Sequence, residues 1–557
     1  MKRFSTLILA IAVAVAAFLT GCEKEITVPQ KKQPVGYVEL IEAYEAGRVF
    51  SSAEQKSGKC SVVFEDGYKV DVDQKAFVIH DCTSKDPATV RVYGGWWEVD
   101  GKIQSLRVDP SLSDKEAYPV YVYYDSLTLY MYLSNRTVLK FPSKAQAELD
   151  KQEQENARKQ NIPVVRITTD KGAGIYDKKN YVPGSIKIED PEGMYSEVKE
   201  FSARMGIRGR GNSTWGWPKK PWKVKLDEKA SLLGMPADKE WALLANYSDR
   251  TLVRNITAMK LSEICGFSWT PRMRSVEVYL NGDYQGVYTL CEHKKVSSDR
   301  VDIDIVSEGD NSGDAVTGGY YLEMEENQDE TTCWWTGMGV PMMFSDPEEP
   351  TAEQYAYMTG YIDEFEKVLQ SDGFADPVSG YAKYIDVRSF INYYIVQELT
   401  KNIDGNLRKS SFITKERGQK MEMYHLWDFD LTLGNCGYFD WKVGNGPENF
   451  WIKDYRSNST YGGGWFWHLF KDPAFVQAVQ ERWNGLMPQL ESIPDFIDEQ
   501  VFSIDKARQR NFKKWNINES VDWVKFPSLG SYEKEVEYLK DFYSDRLEWL
   551  DREINKL

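Results

Sequence analysis

The run Arg208-Gly209-Arg210-Gly211-Asn212-Ser213-Thr214-Trp215 is followed closely by Lys219, Lys220, Lys223 and Lys225. Glycines let backbone N–H groups approach an anion, and six cations within 208–225 add the charge to hold a phosphate or carboxylate. The run matches neither GxxxxGK[ST] nor GxGxxG, so a tight turn with solvated cations is the competing reading of the bare pattern. Two acidic groups stand far downstream, Asp404-Gly405-Asn406 and Trp427-Asp428-Phe429-Asp430. Their hard oxygens suit Mg²⁺, although loop aspartates also serve as caps and Asx turns. A basic glycine loop with lysines, then a loop Asp, then a further Asp pair is the order of parts in kinase-type phosphoryl transfer.

These groups need elements to position them. The segment VVRITTD predicts a strand, SDRTLVRNITAMKLSEICG a four-turn helix capped by Ser248 or Asp249 and ended by Gly266, and SVEVYLNGDYQGVYTL a hairpin turning at Asn281-Gly282. A further strand, GGYYLEMEE, completes an α+β lobe over 162–345. From Thr351 the period becomes helical, interrupted by SSFITKERGQKMEMYHLWDFDLTLG, so 346–557 reads as a mainly helical lobe with Asp404 at a helix end and Asp428 at a strand end. Upstream, 36–143 holds short β-rich runs and predicts a small all-β module. Its alternating aromatics are the side of a core or, on a second reading, a sugar-stacking face. The polar stretch 144–161 predicts a helical spacer.

Composition narrows the partners. The formal charge of −16 over 557 residues argues against a phosphate-backbone binder, so no nucleic-acid partner is expected. Lys2 and Arg3 precede the apolar run Leu7–Leu19 and then Leu19-Thr20-Gly21-Cys22. This predicts a secretory signal over 1–21, with Cys22 as a lipidated first residue as in a bacterial lipobox and 22–35 as its tether. Loss of residues 1–21 removes two cations and no acid, giving −18. The expected location is the bacterial cell envelope, with the protein lipid-anchored at the outer membrane or cell surface, or on the periplasmic side. Four histidines and no CxxC pair argue against structural zinc; export permits a Cys60–Cys82 disulfide, with reduced buried thiols the competing reading for all six cysteines other than Cys22.

The blocks RGRGNSTWGWPKKPWKVKL, LLGMPADKEWALLANYSDRTLVRN, VEVYLNGDYQGVYTLCEH, GGYYLEME and YHLWDFDLTLGN together resemble the CotH kinase family, the spore coat protein H-like atypical protein kinases, over about 162–557. The resemblance implies a divergent two-lobed kinase-like fold that uses ATP and Mg²⁺ to phosphorylate protein Ser/Thr hydroxyls. It implies that Arg210, Gly211, Asn212, Ser213 and Lys223 face the nucleotide, that Lys225 or a neighbour pairs with its phosphates, and that Glu292 lies near the nucleotide or orients that lysine. Asp404 is then the catalytic base, and Asp428, Asp430 and Asn406 the metal ligands. A kinase catalytic loop has Asn five residues after this Asp, and position 409 is Lys, leaving Asn406 or Asn435 as substitutes. A catalytically weak or silent surface lipoprotein that binds glycan or protein is the alternative.

Overall fold

The computed structural model describes residues 35–56, 59–73, 90–93, 96–99, 102–124, 127–327, 332–437, 446–454, 464–519 and 527–557. Cys22, Cys82 and the side chain of Cys60 lie outside the described part, and with them the lipidation and disulfide expectations. The chain divides into two units, Met1–Asn156 and Ala157–Leu557.

The first unit is not all-β. It opens with helix α1 (Tyr37–Glu45), whose Tyr37, Leu40 and Ile41 recur at helical spacing and are buried. Gly36 precedes it at φ 90°, and a Cβ there would stand 2.3 Å from the Asp71 carbonyl oxygen. Three antiparallel three-stranded sheets follow: β1 (Phe50–Lys56), β2 (Lys59–Phe64) and β3 (Lys69–Asp73); β4 (Val90–Tyr93), β5 (Trp96–Val99) and β6 (Lys102–Arg107); β7 (Pro119–Tyr124), β8 (Thr128–Leu133) and β9 (Val138–Pro142). Phe50, Phe64, Met131 and Phe141 share one core with α1. The polar helix α2 (Lys144–Gln160) spans the division between the units.

The second unit begins with a closed seven-stranded barrel. Its strands are β10 (Val164–Thr169), β11 (Val182–Glu189), β12 (Glu200–Gly209), β13 (Trp222–Ala230), β14 (Asp238–Leu244), β15 (Met273–Leu280) and β16 (Asp283–Glu292), in the order β10-β11-β12-β13-β14-β16-β15. The parallel pair β10/β15 closes the ring, which removes both sheet edges. Alternate residues, among them Ile167, Ile207, Val224, Leu243 and Val278, fill the interior, where Trp222 stacks on Tyr288 at 5.1 Å. The β15–β16 turn is Asn281-Gly282, at φ 51° and 86°, the geometry a two-residue hairpin requires.

Helix α3 (Arg254–Cys265) sits between β14 and β15 and is shorter than its sequence pattern predicts. Leu252 is left-handed at φ 66°, so Ser248 and Asp249 lie before the helix. Asp249 instead accepts from the backbone N–H groups of Thr251 and Arg254. Gly266 ends it at φ 67°.

A second, five-stranded sheet runs β18-β19-β17-β20-β21, with β17 (Tyr320–Glu325), β18 (Cys333–Trp335), β19 (Pro341–Asp346), β20 (Lys409–Lys415) and β21 (Met421–Met423). Residues 320–346 therefore share a sheet with 409–423, and a lobe boundary at 345/346 would cut through β19. Around this sheet lie α4 (Ala352–Leu369), α5 (Val387–Leu399), α6 (Trp465–Leu469), α7 (Pro473–Leu490), α8 (Ile493–Ser503), α9 (Asp505–Lys514) and α10 (Tyr532–Ile554). Of these, α5 is buried at all but two of its positions and is the centre of the largest core. The fold class is mixed α+β.

Candidate functional site

A cavity of about 580 Å³ lies where the end of β12, strand β13, the segment after α5 and the segment after β21 converge. Its wall includes Arg210, Gly211, Asn212, Ser213, Lys223, Asp404, Asp428 and Asp430, which are up to 220 residues apart in the chain. Lys225, Glu292 and Asn406 do not line it.

The basic wall is built by the turn after β12. Gly211 has φ 80°, and a Cβ there would stand 2.1 Å from Thr214 Oγ1, so the turn needs glycine. Lys220 Nζ donates to the Trp215 carbonyl at 2.7 Å and holds the turn from below. Arg210 lies over the Trp427 ring at 5.6 Å, which joins the basic turn to the acidic segment. Arg208 donates to the Lys178 carbonyl. Among the described residues neither arginine is ion-paired with a carboxylate, and both face the cavity.

Lysines at 219, 223 and 225 have three different fates. Lys219 is buried; its Nζ donates to the Val287 carbonyl at 2.5 Å and to Asn511 Oδ1 of α9 at 3.0 Å. Gly286, at φ 110°, permits this approach, since a Cβ would lie 2.4 Å from Asn511 Oδ1. Lys223 lines the cavity, 12% exposed, with its ammonium 2.7 Å from Glu240 Oε2 on the neighbouring strand. Burial lowers the ammonium from its usual range, with Glu240 opposing. Lys225, 51% exposed and 3.8 Å from the same carboxylate, lies outside. Of these three lysines the cavity-lining one is therefore Lys223, and its partner is Glu240.

Glu292 is fully buried and engaged elsewhere. It accepts from the Arg272 backbone N–H at 2.9 Å and from Arg272 Nη1 at 3.0 Å, and burial raises its carboxyl above the usual range. It braces β16 and orients no lysine. Glu263, on α3, pairs with Lys260 at 3.1 Å.

Asp404 follows α5 through a tight loop rather than standing at its end. Lys401 and Leu407 are left-handed, and Gly405 passes so close to Gln397 that a Cβ would lie 1.9 Å from its Oε1. The Tyr393 hydroxyl donates to the Gly405 carbonyl at 2.5 Å. Burial pushes the Asp404 carboxyl up, Arg408 and Lys409 oppose this, and the charge of Asp428 adds to it. Arg408 Nη1 donates to Asp404 Oδ1 at 2.8 Å.

The segment after β21 is irregular, so Asp428 and Asp430 lie five and seven residues beyond the strand rather than at its end. Asp428 is exposed to the cavity on a left-handed backbone, φ 66°. Phe429, buried between the two acids, donates its N–H to Asn255 Oδ1 at 2.8 Å. Ser248 Oγ donates to Asp430 Oδ2 at 2.7 Å, and burial followed by the Asp428 charge raises the Asp430 carboxyl. Arg254, fully buried, pairs with Asp249 at 2.6 Å and donates to the carbonyls of Thr432 and Leu433. Helix α3 is thereby latched to the acidic segment.

Asn406 is buried away from the cavity, and its Nδ2 has no partner among the described residues. Asn435 Nδ2 donates to the carbonyls of Asp430 and Ser248. At position 409, Lys409 Nζ pairs with Glu326 at 3.0 Å. No group of three or more His, Cys, Asp or Glu side chains that could hold a metal ion occurs among the described residues. Two carboxylates on one cavity wall nevertheless fit Mg²⁺, which keeps several waters and shares phosphate oxygens.

His293 lines the cavity and is held neutral by burial and by Lys223 and Arg210. His425 stacks on Phe412 at 4.3 Å, pushed down to about 3, and is a core residue. Sequence reasoning missed Glu240, Asn255, Arg408 and His293 as wall or partner residues. Both Glu240 and Asn255 stand inside the block LLGMPADKEWALLANYSDRTLVRN; strand register sets Glu240 beside Lys223, and only chain folding brings Asn255 to the cavity wall.

A family model described as CotH kinase protein matches residues 207–550, more than half of the chain. No curated protein matches the chain.

Proposed function

Because the chain belongs to the CotH kinase family, we propose that it transfers the γ-phosphoryl group of ATP to a protein Ser or Thr hydroxyl. The observation that carries this reading is the single cavity that gathers Arg210, Lys223, Asp404, Asp428 and Asp430. Arg210, the N–H groups of the Gly211 turn and Lys223 bind and orient the phosphates. Asp404 receives the acceptor's proton as the hydroxyl oxygen bonds to the γ-phosphorus and the bond to the ADP oxygen breaks. Asp428 and Asp430 are the residues to hold Mg²⁺, which when bound neutralises phosphate charge.

Mg-ATP at a hundred times its Kd should stabilise the protein by about 2.7 kcal/mol. The reading is abandoned if neither a thermal shift with Mg-ATP nor phosphate transfer sensitive to Asp428→Ala is found. The lysine at 409 favours the second reading, a catalytically weak or silent binder of glycan or protein. Retained glycan or protein binding by an Asp404→Asn, Asp428→Asn variant would favour it over the enzyme.

We also propose export and anchoring through Cys22, on the lipobox-like run alone. Labelled palmitate incorporated into the wild type and into Cys22→Ala alike would refute it. No helix among the described residues is long and apolar enough to cross a membrane.

A further inference from the structure

The Asp404 carboxylate does not stand free in the cavity. Arg408, 13% exposed, donates from Nη1 to Asp404 Oδ1 at 2.8 Å, and its other edge is occupied. Nε lies 2.5 Å from Glu326 Oε2 and Nη2 2.6 Å from Glu326 Oε1, a two-bond fork that fixes the guanidinium plane. Glu326 is itself anchored. It follows the last residue of β17, which pairs with β20 with Glu325 opposite Lys409, and Lys409 Nζ adds a second cation to the same carboxylate. Position 409, where a kinase catalytic loop carries its metal-binding Asn, thus contributes to this clamp. Asp404 Oδ2 has no partner among the described residues.

We propose that Arg408, clamped by Glu326, is a positioning residue for Asp404: it fixes Oδ1 and leaves Oδ2 to the acceptor hydroxyl. This rests on the kinase reading above. An isolated surface pair would contribute little, but here one arginine is shared between a sheet-anchored carboxylate and the one acid that faces the acceptor. Loss of such orientation is expected to lower the rate about 100-fold, the order produced by misplacing a reacting group by about 1 Å.

The test is a set of full-length variants assayed for phosphate transfer, Mg-ADP affinity and melting temperature. Arg408→Ala should lower kcat about 100-fold, with the KM for ATP and the Kd for Mg-ADP within about threefold of wild type. Arg408→Lys, which cannot bridge both carboxylates, should fall between the two. Glu326→Gln, which never touches Asp404, should also lower kcat, and Arg408→Ala combined with Glu326→Gln should be no worse than Arg408→Ala alone. In an Asp404→Asn background Arg408→Ala should change nothing further. The inference is overturned if Arg408→Ala keeps more than a third of kcat, if Mg-ADP binding falls in step with the rate, or if the Asp404→Asn enzyme loses still more on adding Arg408→Ala. A wild type that transfers no phosphate overturns the kinase reading and this inference together; active wild type with active Arg408→Ala overturns this inference alone.

Discussion

Lys223 and Lys225 lie on the same strand face two residues apart, and the structure gives them opposite consequences when removed. Lys223→Met deletes a cavity cation that is 12% exposed and already oriented by Glu240 at 2.7 Å. A hydrogen bond to a charged group contributes about 1.5–3 kcal/mol, so kcat/KM for ATP should fall roughly 10- to 150-fold. Lys225→Met deletes a cation that is 51% exposed and outside the cavity, where screening leaves about 0–1 kcal/mol, so it should stay within about fivefold of wild type. Lys223→Met also leaves the Glu240 carboxylate without its closest cation. Glu240→Gln placed on top of Lys223→Met should therefore recover part of the loss, whereas Glu240→Gln alone should lower activity by releasing Lys223. Steady-state kinetics in ATP, with Mg-ADP thermal shifts as the binding control, separate the four variants. Equal losses in Lys223→Met and Lys225→Met, or none in either, would refute the assignment.

Arg254→Met should destabilise the second unit by about 3–5 kcal/mol, because it strands the buried Asp249 carboxylate and two carbonyls. At about 2.1 cal/mol/K per residue over a unit of some 400 residues, that is a fall in Tm of about 4–6 °C, and calorimetry showing under 1 °C would contradict it. Gly211→Ala forces a side chain into a φ of 80° against Thr214 and should weaken Mg-ADP binding at least tenfold with little change in Tm; unchanged titration calorimetry would count against the turn as a phosphate site. The Asp404 carboxyl is held above its ordinary range, so it stays protonated to a higher pH than a solvated Asp. The acid limb of kcat/KM should accordingly fall at a pH above the usual aspartate value of about 3.9, and a limb at or below that value would exclude Asp404 as the base.

Local rules carried some elements and long-range register carried others. The Asn281-Gly282 hairpin is legible because both of its residues need positive φ, a property of the dipeptide itself. Gly211 is legible for the same reason. The choice between Lys223 and Lys225 is not, since strand alternation puts both on one face and only the neighbouring turn decides which one is covered. Glu292 reads as a lysine partner until Arg272, twenty residues upstream, is seen to take both of its oxygens. Asn406 misled through proximity in sequence, because the left-handed Leu407 follows it and the side chain is buried away from the cavity. The lobe boundary failed because β17 pairs with β20 across some ninety residues, a contact no local period announces. Helix α1 went unread inside a β-patterned region although Tyr37, Leu40 and Ile41 carry its spacing.

The buried Lys219 has a bearing on the order in which the protein can be made. Its ammonium, four residues before Lys223, has one acceptor in the barrel, the Val287 carbonyl, and gains its second when Asn511 of α9 arrives; Asn511 also takes the Val287 N–H of the barrel. During synthesis the barrel strands emerge more than two hundred residues ahead of that partner. Until α9 docks, water takes the place of Asn511 at the Lys219 ammonium and at the Val287 N–H, so this corner of the barrel closes only once α9 is in place. The seal over this lysine is thus acquired late, as a property of the finished polypeptide.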